Sequence, residues 1–354
     1  MKIESLKDKK ILILGFGREG KDTLSFLQKK FPGKRIQVAD KSEKVIKRNN
    51  VKFILGKDYL KDIARYDVII KSPGIPPLKE LRDLNITSKT ELFLDNCPGK
   101  VIGITGTKGK STTASLTYEI LKKSGIGTHL VGNIGKPALS FLNKAKENDV
   151  FVYELSSHQL FNIKKSPQVA VFLNIFPEHL DYYRNFKEYI KAKANITKYQ
   201  KKEEYLVFNK KDKIVKRLAS KSKAKKIPFN SVKVKNIIPQ KDIPLKGKFN
   251  LNNIKAAIAT VKVFNVPNKK IASAIKNFKP LPHRLEFVGE YKGISFYNDA
   301  LSTVPEATIG AIEALGNDVQ TIILGGFERN ISFDSLAEKI LRSNVQTLIL
   351  FPTT

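Results

Sequence analysis

The chain has 354 residues, of which 41% are hydrophobic and 27% are charged, the proportions of an ordinary folded protein. No apolar run approaches the roughly 18 residues that a membrane-spanning helix needs, so the sequence predicts no membrane span. The single cysteine, Cys97, excludes an intramolecular disulfide and fits a reducing, cytoplasmic compartment. The net charge of +31 comes from lysines spread along the chain without nucleic-acid-binding motifs, and suits ordinary solvated faces or a nucleotide substrate.

The first motif is a glycine loop between a strand and a helix. An apolar strand over residues 10–14 precedes G-x-G-x-x-G at residues 15–20, a helix follows to about residue 30, and the next strand ends in Asp40. The loop and the helix N-terminus offer backbone N–H groups to a diphosphate, while Asp40 offers an acceptor to a hydroxyl. The pattern therefore predicts an NAD(P) cofactor, a nucleotide-sugar diphosphate, or a structural turn without a ligand.

The β/α alternation continues into a second loop. A strand at residues 66–71 ends at Ser-Pro-Gly-Ile-Pro-Pro, residues 72–77. Ligands of open α/β sheets bind at the carboxyl ends of strands, so this loop is a second candidate binding segment. A helix over residues 90–94 leads to a linker at residues 96–100, and a first domain is expected to end at residue 96.

A phosphate loop opens the next domain. Residues 101–104 form an apolar strand, T-G-T-K-G-K-S-T follows at residues 105–112, and helical spacing continues to residue 121. The glycines allow positive φ, and the helix N-terminus favours a phosphate chain that Lys110 would reach while Ser111 ligates Mg²⁺. Ile104 stands where the strict motif has glycine, so a chance turn rich in glycine and lysine is the alternative.

Two later strands end in polar residues. A glycine loop at residues 129–137 is expected to open a helix, a strand at residues 149–154 ends in Glu154, and a buried strand at residues 168–175 leads to His179. We expect these strands to be neighbours that present Glu154 and His179 on the edge that carries Lys110 and Ser111. Glu154 suits Mg²⁺ beside nucleotide phosphates, whereas a hydrogen-bonded loop histidine explains His179 equally well.

The rest of the chain adds helices and an incomplete sheet. A helix spans residues 186–199, and its pattern distinguishes none of its lysines. Another helix begins near residue 249, with Asn250 as its expected cap. A third segment is predicted as strands at residues 286–291, 294–297, 319–324 and 345–351 with helices at residues 305–315 and 333–342. We therefore expect an α/β protein with three consecutive domains, residues 1–96, 97–281 and 282–354.

Taken in order, these motifs resemble the Mur ligase family of ATP-dependent amide-bond-forming enzymes, and within it the branch that adds D-glutamate to UDP-N-acetylmuramoyl-L-alanine. The resemblance implies a Rossmann-like UDP-binding domain, a phosphate-loop ATPase domain and an incomplete Rossmann-like C-terminal domain. It also implies ATP and two Mg²⁺ ions, and a cytoplasmic monomer that binds no nucleic acid. The matching segments are residues 105–112, 132–135, 154–160, 174–181 and 281–284, together with Asn250 and Asn253.

The resemblance implies a role for individual residues. Catalysis would use Lys110, His179 and Lys193; a carbamylated Lys193 would hold one Mg²⁺ with His179, and Ser111 and Glu154 would hold the other nearer the nucleotide. The glycine loop would bind UDP rather than NAD. ATP would contact Gly106, Thr107, Lys108, Gly109, Lys110, Ser111, Thr112, Asn250, Asn253, His283, Arg284 and Asp299. The UDP-sugar would contact Gly15, Phe16, Gly17, Arg18, Asp40, Lys41, Gly74, Asn133, Ser156 and His179, and D-glutamate would contact Thr303 and Arg329.

Two residues depart from the family pattern, and other interpretations stay open. Leu301 stands where the pattern has a lysine, and Arg329 stands where lysine is frequent. The family's third domain continues well past residue 354, so we expect a fragment or truncated sequence with weak or no turnover. The alternatives are another Mur ligase, a folylpolyglutamate synthase, an NAD(P)-dependent dehydrogenase, and a basic phosphate-loop ATPase that binds nucleic acid.

Overall fold

The chain divides into two compact units. This computed structural model describes residues 1–45, 51–326 and 331–351. The first unit comprises Met1–Gly106 with Gly125–Ile227, and the second comprises Thr107–Ser124 with Pro228–Thr354. The chain therefore passes from one unit to the other inside the predicted phosphate loop.

A five-stranded parallel sheet begins the first unit. Its strands are β1 (Ile11–Leu14), β2 (Ile36–Asp40), β3 (Lys52–Leu55), β4 (Val68–Lys71) and β5 (Ile86–Thr87), with helices α1 (Arg18–Lys30) and α2 (Lys89–Asn96). The strand order is β3-β2-β1-β4-β5. The central strands β1 and β4 are buried along their whole length, as continuous apolar runs in parallel sheets are. The N-cap of α2 is Ser88, whose hydroxyl accepts the Glu91 N–H.

A six-stranded sheet completes the first unit. Its strands are β6 (Lys100–Thr105), β7 (Thr128–Gly132), β8 (Val150–Glu154), β9 (Val169–Phe172), β10 (Tyr205–Phe208) and β11 (Lys225–Pro228). The order is β11-β10-β9-β6-β8-β7. The helix after β6, α3 (Lys110–Lys123), belongs to the second unit, and α4 (Ser157–Leu160), α5 (Phe186–Lys198) and α6 (Lys213–Ser220) belong to the first. One hydrophobic cluster takes side chains from both sheets, including Ile13, Val38, Phe93, Phe151 and Phe172.

The second unit is built from helices and two small sheets. After α3 come α7 (Lys248–Lys262), α8 (Asn268–Lys276), β12 (Glu286–Tyr291), β13 (Ile294–Asn298), α9 (Pro305–Leu315), β14 (Thr321–Leu324), α10 (Asp334–Leu341) and β15 (Thr347–Leu350). Helix α3 packs against α7 and α8, which buries residues on several of its faces. Strands β12 and β13 form an antiparallel hairpin, and β14 pairs with β15 in parallel.

The predicted α/β class with parallel sheets is confirmed, and three local predictions are wrong. Only a short 3-10 turn, Leu139–Phe141, follows the glycine loop at residues 129–137, where a helix was expected. Strands β8 and β9 are not neighbours, because β6 lies between them. Asn250 is not a cap: α7 begins two residues earlier, and its N-cap is Gly247. The three-domain division stays a prediction.

No helix within residues 1–45, 51–326 and 331–351 is long and apolar enough to cross a membrane.

Candidate active site

The glycine loop between β1 and α1 is shaped by Asp40. Gly15 has a φ of +89°, and a side chain on Gly20 would overlap the Gly15 carbonyl, so both positions need glycine. One Asp40 carboxylate oxygen accepts the Phe16 N–H at 2.6 Å, and the other accepts the Ser42 N–H at 2.8 Å. Asp40 therefore holds the loop in place with the oxygens that the sequence assigned to a ligand hydroxyl. Gly17 is the N-cap of α1, and Lys41 lies exposed after β2.

The loop after β4 lies directly against the glycine loop. The Ser72 hydroxyl donates to the Gly15 carbonyl at 2.7 Å, and the turn that it begins contains Gly74. The Lys71 ammonium donates to the Ile75 carbonyl and, at 3.4 Å, to the Ser72 carbonyl. Lys71 is 6% exposed, and burial lowers its pKa to about 8. The structure thus joins both predicted nucleotide-sugar loops through backbone carbonyls.

Lys71 predicts a pH-dependent stability. Its pKa is about 8 in the folded chain and 10.5 for the ordinary side chain, so between these values the unfolded chain holds a proton that the folded chain has lost. The contribution of Lys71 to stability therefore rises with pH, by about 2–3 kcal/mol from pH 8 to pH 10.5. Buried groups such as Cys97 and Tyr182 contribute in the opposite direction, because burial raises their pKa. Urea unfolding at several pH values should show that the stability of the wild type relative to Lys71→Met grows by this amount, whereas its stability relative to Lys79→Met, which removes an exposed lysine, stays constant. Parallel profiles for Lys71→Met and the wild type would contradict it.

Side chains from α1 reach two loops of the second sheet. The Arg18 guanidinium donates to the carbonyls of Asn133 and Gly135 at 3.4 and 3.5 Å, which brings two predicted UDP-sugar residues together. The Gln159 amide donates to Glu19 Oε1 at 2.7 Å and accepts the Ser156 N–H at 2.9 Å. Ser156 is the N-cap of α4 in a capping box with Gln159. The glycine-loop helix is therefore tied to the segment that follows Glu154.

The buried carboxylate of Glu154 suits a metal ion. Glu154 ends β8, is 3% exposed, and its Oε2 atom has no hydrogen-bond partner among the described residues. A hard cation would satisfy such an orphaned oxygen. Within the described ranges, no three His, Cys, Asp or Glu side chains are grouped to hold a metal ion. A Mg²⁺ ion that keeps several waters and takes phosphate oxygens needs only one or two protein ligands, so the residues present fit it.

His179 and Lys193 lie at the same edge of the second sheet. His179 has a φ of +58°, a left-handed backbone that is uncommon outside glycine and that favours a functional role, and its ring lies 4.7 Å from that of His158. Burial, with the nearby His179 and Lys193, lowers the pKa of His158 to about 4, so His158 is neutral at pH 7. Lys193, on α5, is 1% exposed, and its ammonium donates to the Gly106 carbonyl at 2.8 Å and to Thr105 Oγ1 at 3.4 Å.

In the second unit, the phosphate loop turns into α3 at Gly109. Gly109 has a φ of +85°, and a side chain there would overlap Asn253 Oδ1. Lys110 is the first residue of α3, and its ammonium donates to the Thr107 carbonyl at 2.8 Å. The Ser111 hydroxyl accepts from the Arg284 guanidinium at 2.8 Å. Thr112 follows, buried on the same helix.

The predicted ATP residues outside the phosphate loop form two groups in the second unit. Asn253 donates to Asn250 Oδ1 at 3.1 Å, and Asn250 donates to the Lys246 carbonyl at 2.8 Å. His283 contacts Asn298 through Nδ1 at 2.7 Å. Asp299 accepts the Leu285 N–H at 2.8 Å and a hydrogen bond from Ser302, and burial raises the pKa of its carboxyl.

Only one of the two residues that are predicted to contact D-glutamate, Thr303, lies within the described part of the chain. The Lys108 ammonium donates to Thr303 Oγ1 at 2.7 Å, which brings a predicted ATP residue and a predicted D-glutamate residue together. Leu301, which stands in place of a lysine, is 46% exposed. Arg329 lies outside the described residues.

Sequence reasoning missed several residues that line a cleft in the second unit. The cleft has a volume of about 330 Å³ and lies beside Asn250 and Arg284. Phe287 and Tyr297 of the hairpin face it together with Lys246, whose ammonium donates to the Tyr297 hydroxyl at 2.9 Å. Aromatic rings beside polar groups suit a nucleotide base. No local motif marks these residues, because the cleft joins segments about 40 residues apart.

The predicted metal and catalytic residues fall in both units. Glu154, His179 and Lys193 belong to the first unit, whereas Lys110 and Ser111 belong to the second. Within the first unit, three pairs of predicted site elements are in direct contact. The two predicted nucleotide-sugar loops contact each other, Arg18 contacts Asn133, and Lys193 contacts Gly106. Within the second, it places Ser111 with Arg284 and the asparagine pair of α7 beside the phosphate loop.

Known proteins resemble this chain in sequence. Residues 104–261 match the model of the Mur ligase middle domain. The UDP-N-acetylmuramoylalanine–D-glutamate ligase of Clostridium kluyveri is 34% identical over 99% of this chain and 82% of its own length. That of Clostridium botulinum strain Hall is 34% identical over 94% of this chain and 78% of its own length. The chain therefore belongs to the Mur ligase family.

The fold agrees with a solved structure of that family. The MurF ligase of Thermotoga maritima, determined in complex with ADP, matches with a TM-score of 0.61 and 18% identity. The match covers 99% of this chain and 83% of that one. It supports the α/β architecture described above.

Proposed function

We propose that this chain is an ATP-dependent ligase that joins D-glutamate to UDP-N-acetylmuramoyl-L-alanine, a step in building peptidoglycan precursors. One observation carries the proposal: the chain matches D-glutamate ligases over nearly its whole length, and the matched middle domain contains Lys110, Ser111, Glu154, His179 and Lys193. The joined glycine and Ser72 loops support a nucleotide-sugar site in the first sheet.

The reaction has two steps. The carboxylate of the nucleotide-sugar peptide attacks the γ-phosphorus of ATP, the bond to the β-phosphate oxygen breaks, and ADP leaves. The amine of D-glutamate then attacks the acyl carbon, loses a proton, and inorganic phosphate leaves. Positioning and charge neutralisation dominate phosphoryl transfer. Lys110 would supply a cation to the phosphates, and the N-terminus of α3, where Lys110 lies, would supply the positive end of a helix dipole.

The chain's own residues divide the remaining work. The Ser111 hydroxyl and the Glu154 carboxylate would each offer an oxygen ligand to Mg²⁺, and His179 with Lys193 would hold an ion if Lys193 is carbamylated. When bound, these ions neutralise phosphate charge. Arg284 bridges to Ser111, which supports a place for it beside the phosphates. As a metal ligand His179 would be a poor base, so we assign it a binding role.

Other interpretations are less well supported. Another Mur ligase or a folylpolyglutamate synthase would share the phosphate loop, but the relatives described above are D-glutamate ligases. A dehydrogenase would use only the first glycine loop and would leave the phosphate loop unexplained. We propose a monomer that acts in the cytoplasm, with no nucleic-acid partner.

Phosphate release tests the function. Phosphate release from ATP and Mg²⁺ by the purified protein, however slow, should require both UDP-N-acetylmuramoyl-L-alanine and D-glutamate, because the second substrate completes the cycle. Replacing D-glutamate by L-alanine, L-lysine or D-alanyl-D-alanine tests the other ligase specificities. Release that requires one of these instead, or nicotinamide fluorescence changes without ligase activity, would overturn the proposal.

A further inference from the structure

The turn after His179 reaches back to the first sheet. The His179 carbonyl accepts the N–H groups of Tyr182 and Tyr183, each at 3.1 Å, so the backbone from His179 to Tyr183 is a closed turn. This turn orients the Tyr182 side chain. Its hydroxyl lies 2.8 Å from the carbonyl oxygens of both Pro73 and Ile75. Tyr182, which follows the proposed metal ligand His179 in the chain, thus contacts the loop that contains Gly74 through its hydroxyl.

The loop that contains Gly74 is itself hydrogen-bonded to the glycine loop. Ser72 donates to the Gly15 carbonyl at 2.7 Å, and its own N–H donates to the Leu14 carbonyl at 2.8 Å. Lys71 also donates to the Ile75 carbonyl, so side chains from β4 and from the His179 turn hold the same peptide group. An unbroken series of hydrogen bonds and covalent links therefore runs from Gly15 to His179 inside the first unit.

The Tyr182 hydroxyl is a hydrogen-bond donor at neutral pH, and packing against other rings holds its own ring in place. Burial raises the pKa of its phenol, so it stays protonated at neutral pH. Its ring lies edge-on to His158 with centroids 4.2 Å apart, and His158 lies 4.7 Å from His179. A phenylalanine would keep these ring contacts and would lose only the hydroxyl. The structure consequently allows the hydrogen bonds to be tested apart from the packing.

We propose that Tyr182 is a positioning residue that sets the place of the Gly74 loop relative to His179. The inference rests on the proposed function, in which one substrate spans both. A nucleotide-sugar bound at the first sheet must bring its distant carboxylate to the chemical site, and a displacement of about 1 Å there is costly. Tyr182 fixes that span by joining the loop that holds the sugar diphosphate to the turn that carries His179.

The neighbouring tyrosine offers a matched control. Tyr183 shares the aromatic cluster with His158, and its hydroxyl lies near Ser157 without a hydrogen bond of normal geometry among the described residues. Tyr183→Phe therefore removes a hydroxyl from the adjacent position without touching the loop. Both variants keep ring size and burial, so both are expected to fold.

The test compares Tyr182→Phe with Tyr183→Phe and the wild type. Tyr182→Phe should raise KM and Kd for UDP-N-acetylmuramoyl-L-alanine about tenfold, the effect of losing one buried hydrogen bond, and should leave KM for ATP within about twofold. Hydrogen exchange of the backbone N–H groups at Ser72 and Ile75 should become faster in this variant only. Tyr183→Phe should match the wild type in all three measurements.

The possible failures are distinguishable. A wild-type chain that neither binds nor uses UDP-N-acetylmuramoyl-L-alanine overturns the proposed function and this inference with it. An active wild type with equal KM, Kd and exchange rates in both variants overturns the inference alone. A loss of kcat with unchanged KM and unchanged exchange would mean that the hydroxyl acts in some other way, and it also overturns the inference.

Discussion

Replacing Lys193 by alanine is expected to reduce ligase activity to below about one thousandth of the wild-type rate. The residue is buried on α5, and its side chain reaches the Gly106 carbonyl at the start of the phosphate loop. Phosphoryl transfer depends almost wholly on positioning and charge neutralisation, so removing a group at this place should stop the first step. Steady-state phosphate release with both substrates measures the effect.

Chemical rescue separates the two roles that Lys193 can have. Short carboxylates such as acetate or propionate should restore part of the activity of Lys193→Ala if the working side chain is a carbamate, because they replace its oxygens. Lys191→Ala is the matched control, since Lys191 is exposed on the same helix and should be dispensable. Wild-type activity in Lys193→Ala would refute the role, and inactivity without rescue would leave a cationic lysine as the functional form.

Changing Lys110 to methionine should lower kcat by about 10²–10³-fold, the usual loss for one preorganised electrostatic group. Lys110 begins α3, where its ammonium and the helix N-terminus act on one small volume. Methionine keeps most of the length of the side chain and its helix propensity, so the fold should survive. The measurement is single-turnover formation of ADP with saturating ATP and nucleotide-sugar.

The control for this second variant lies on the same helix. Lys123→Met removes an exposed charge from the last turn of α3, which is about 20 Å away along an ideal helix. The rate should stay within twofold of wild type, because screened surface charge at that distance contributes little. Equal losses in the two variants would show that Lys110 acts through general charge rather than through its position at the loop.

Short-range chemistry made much of the fold and site predictable. Glycine loops at residues 15–20 and 105–112 follow continuous apolar strands, and such strands have few alternatives to a buried parallel sheet. The same local signals gave β8 ending at Glu154 and the helix that carries Lys193. Family resemblance, rather than pattern, singled out Lys193 among the lysines of α5.

Predictions failed where the decisive contact was distant in sequence or depended on backbone geometry. The sequence predicts Asn250 as a cap, but Gly247, with a φ of +91°, is the N-cap of α7, and the asparagine side chain donates to the Lys246 carbonyl. Tyr182 could not be recognised as the partner of the Pro73 carbonyl, because 109 residues separate them. Strand order also escaped prediction, since β6 inserts between β8 and β9 without a local signal.

The contact between Gly109 and Asn253 has a consequence for nucleotide selection. Asn253 touches the phosphate loop, donates to Asn250, and Asn250 holds the Lys246 carbonyl at the edge of the aromatic cleft. For a nucleotide whose phosphates bind at the loop and whose base enters the cleft, the hydrogen bonds of Asn253 and Asn250 would fix the distance between the two binding positions. The distance between base and phosphate chain, as well as negative charge, would then contribute to the choice of nucleotide.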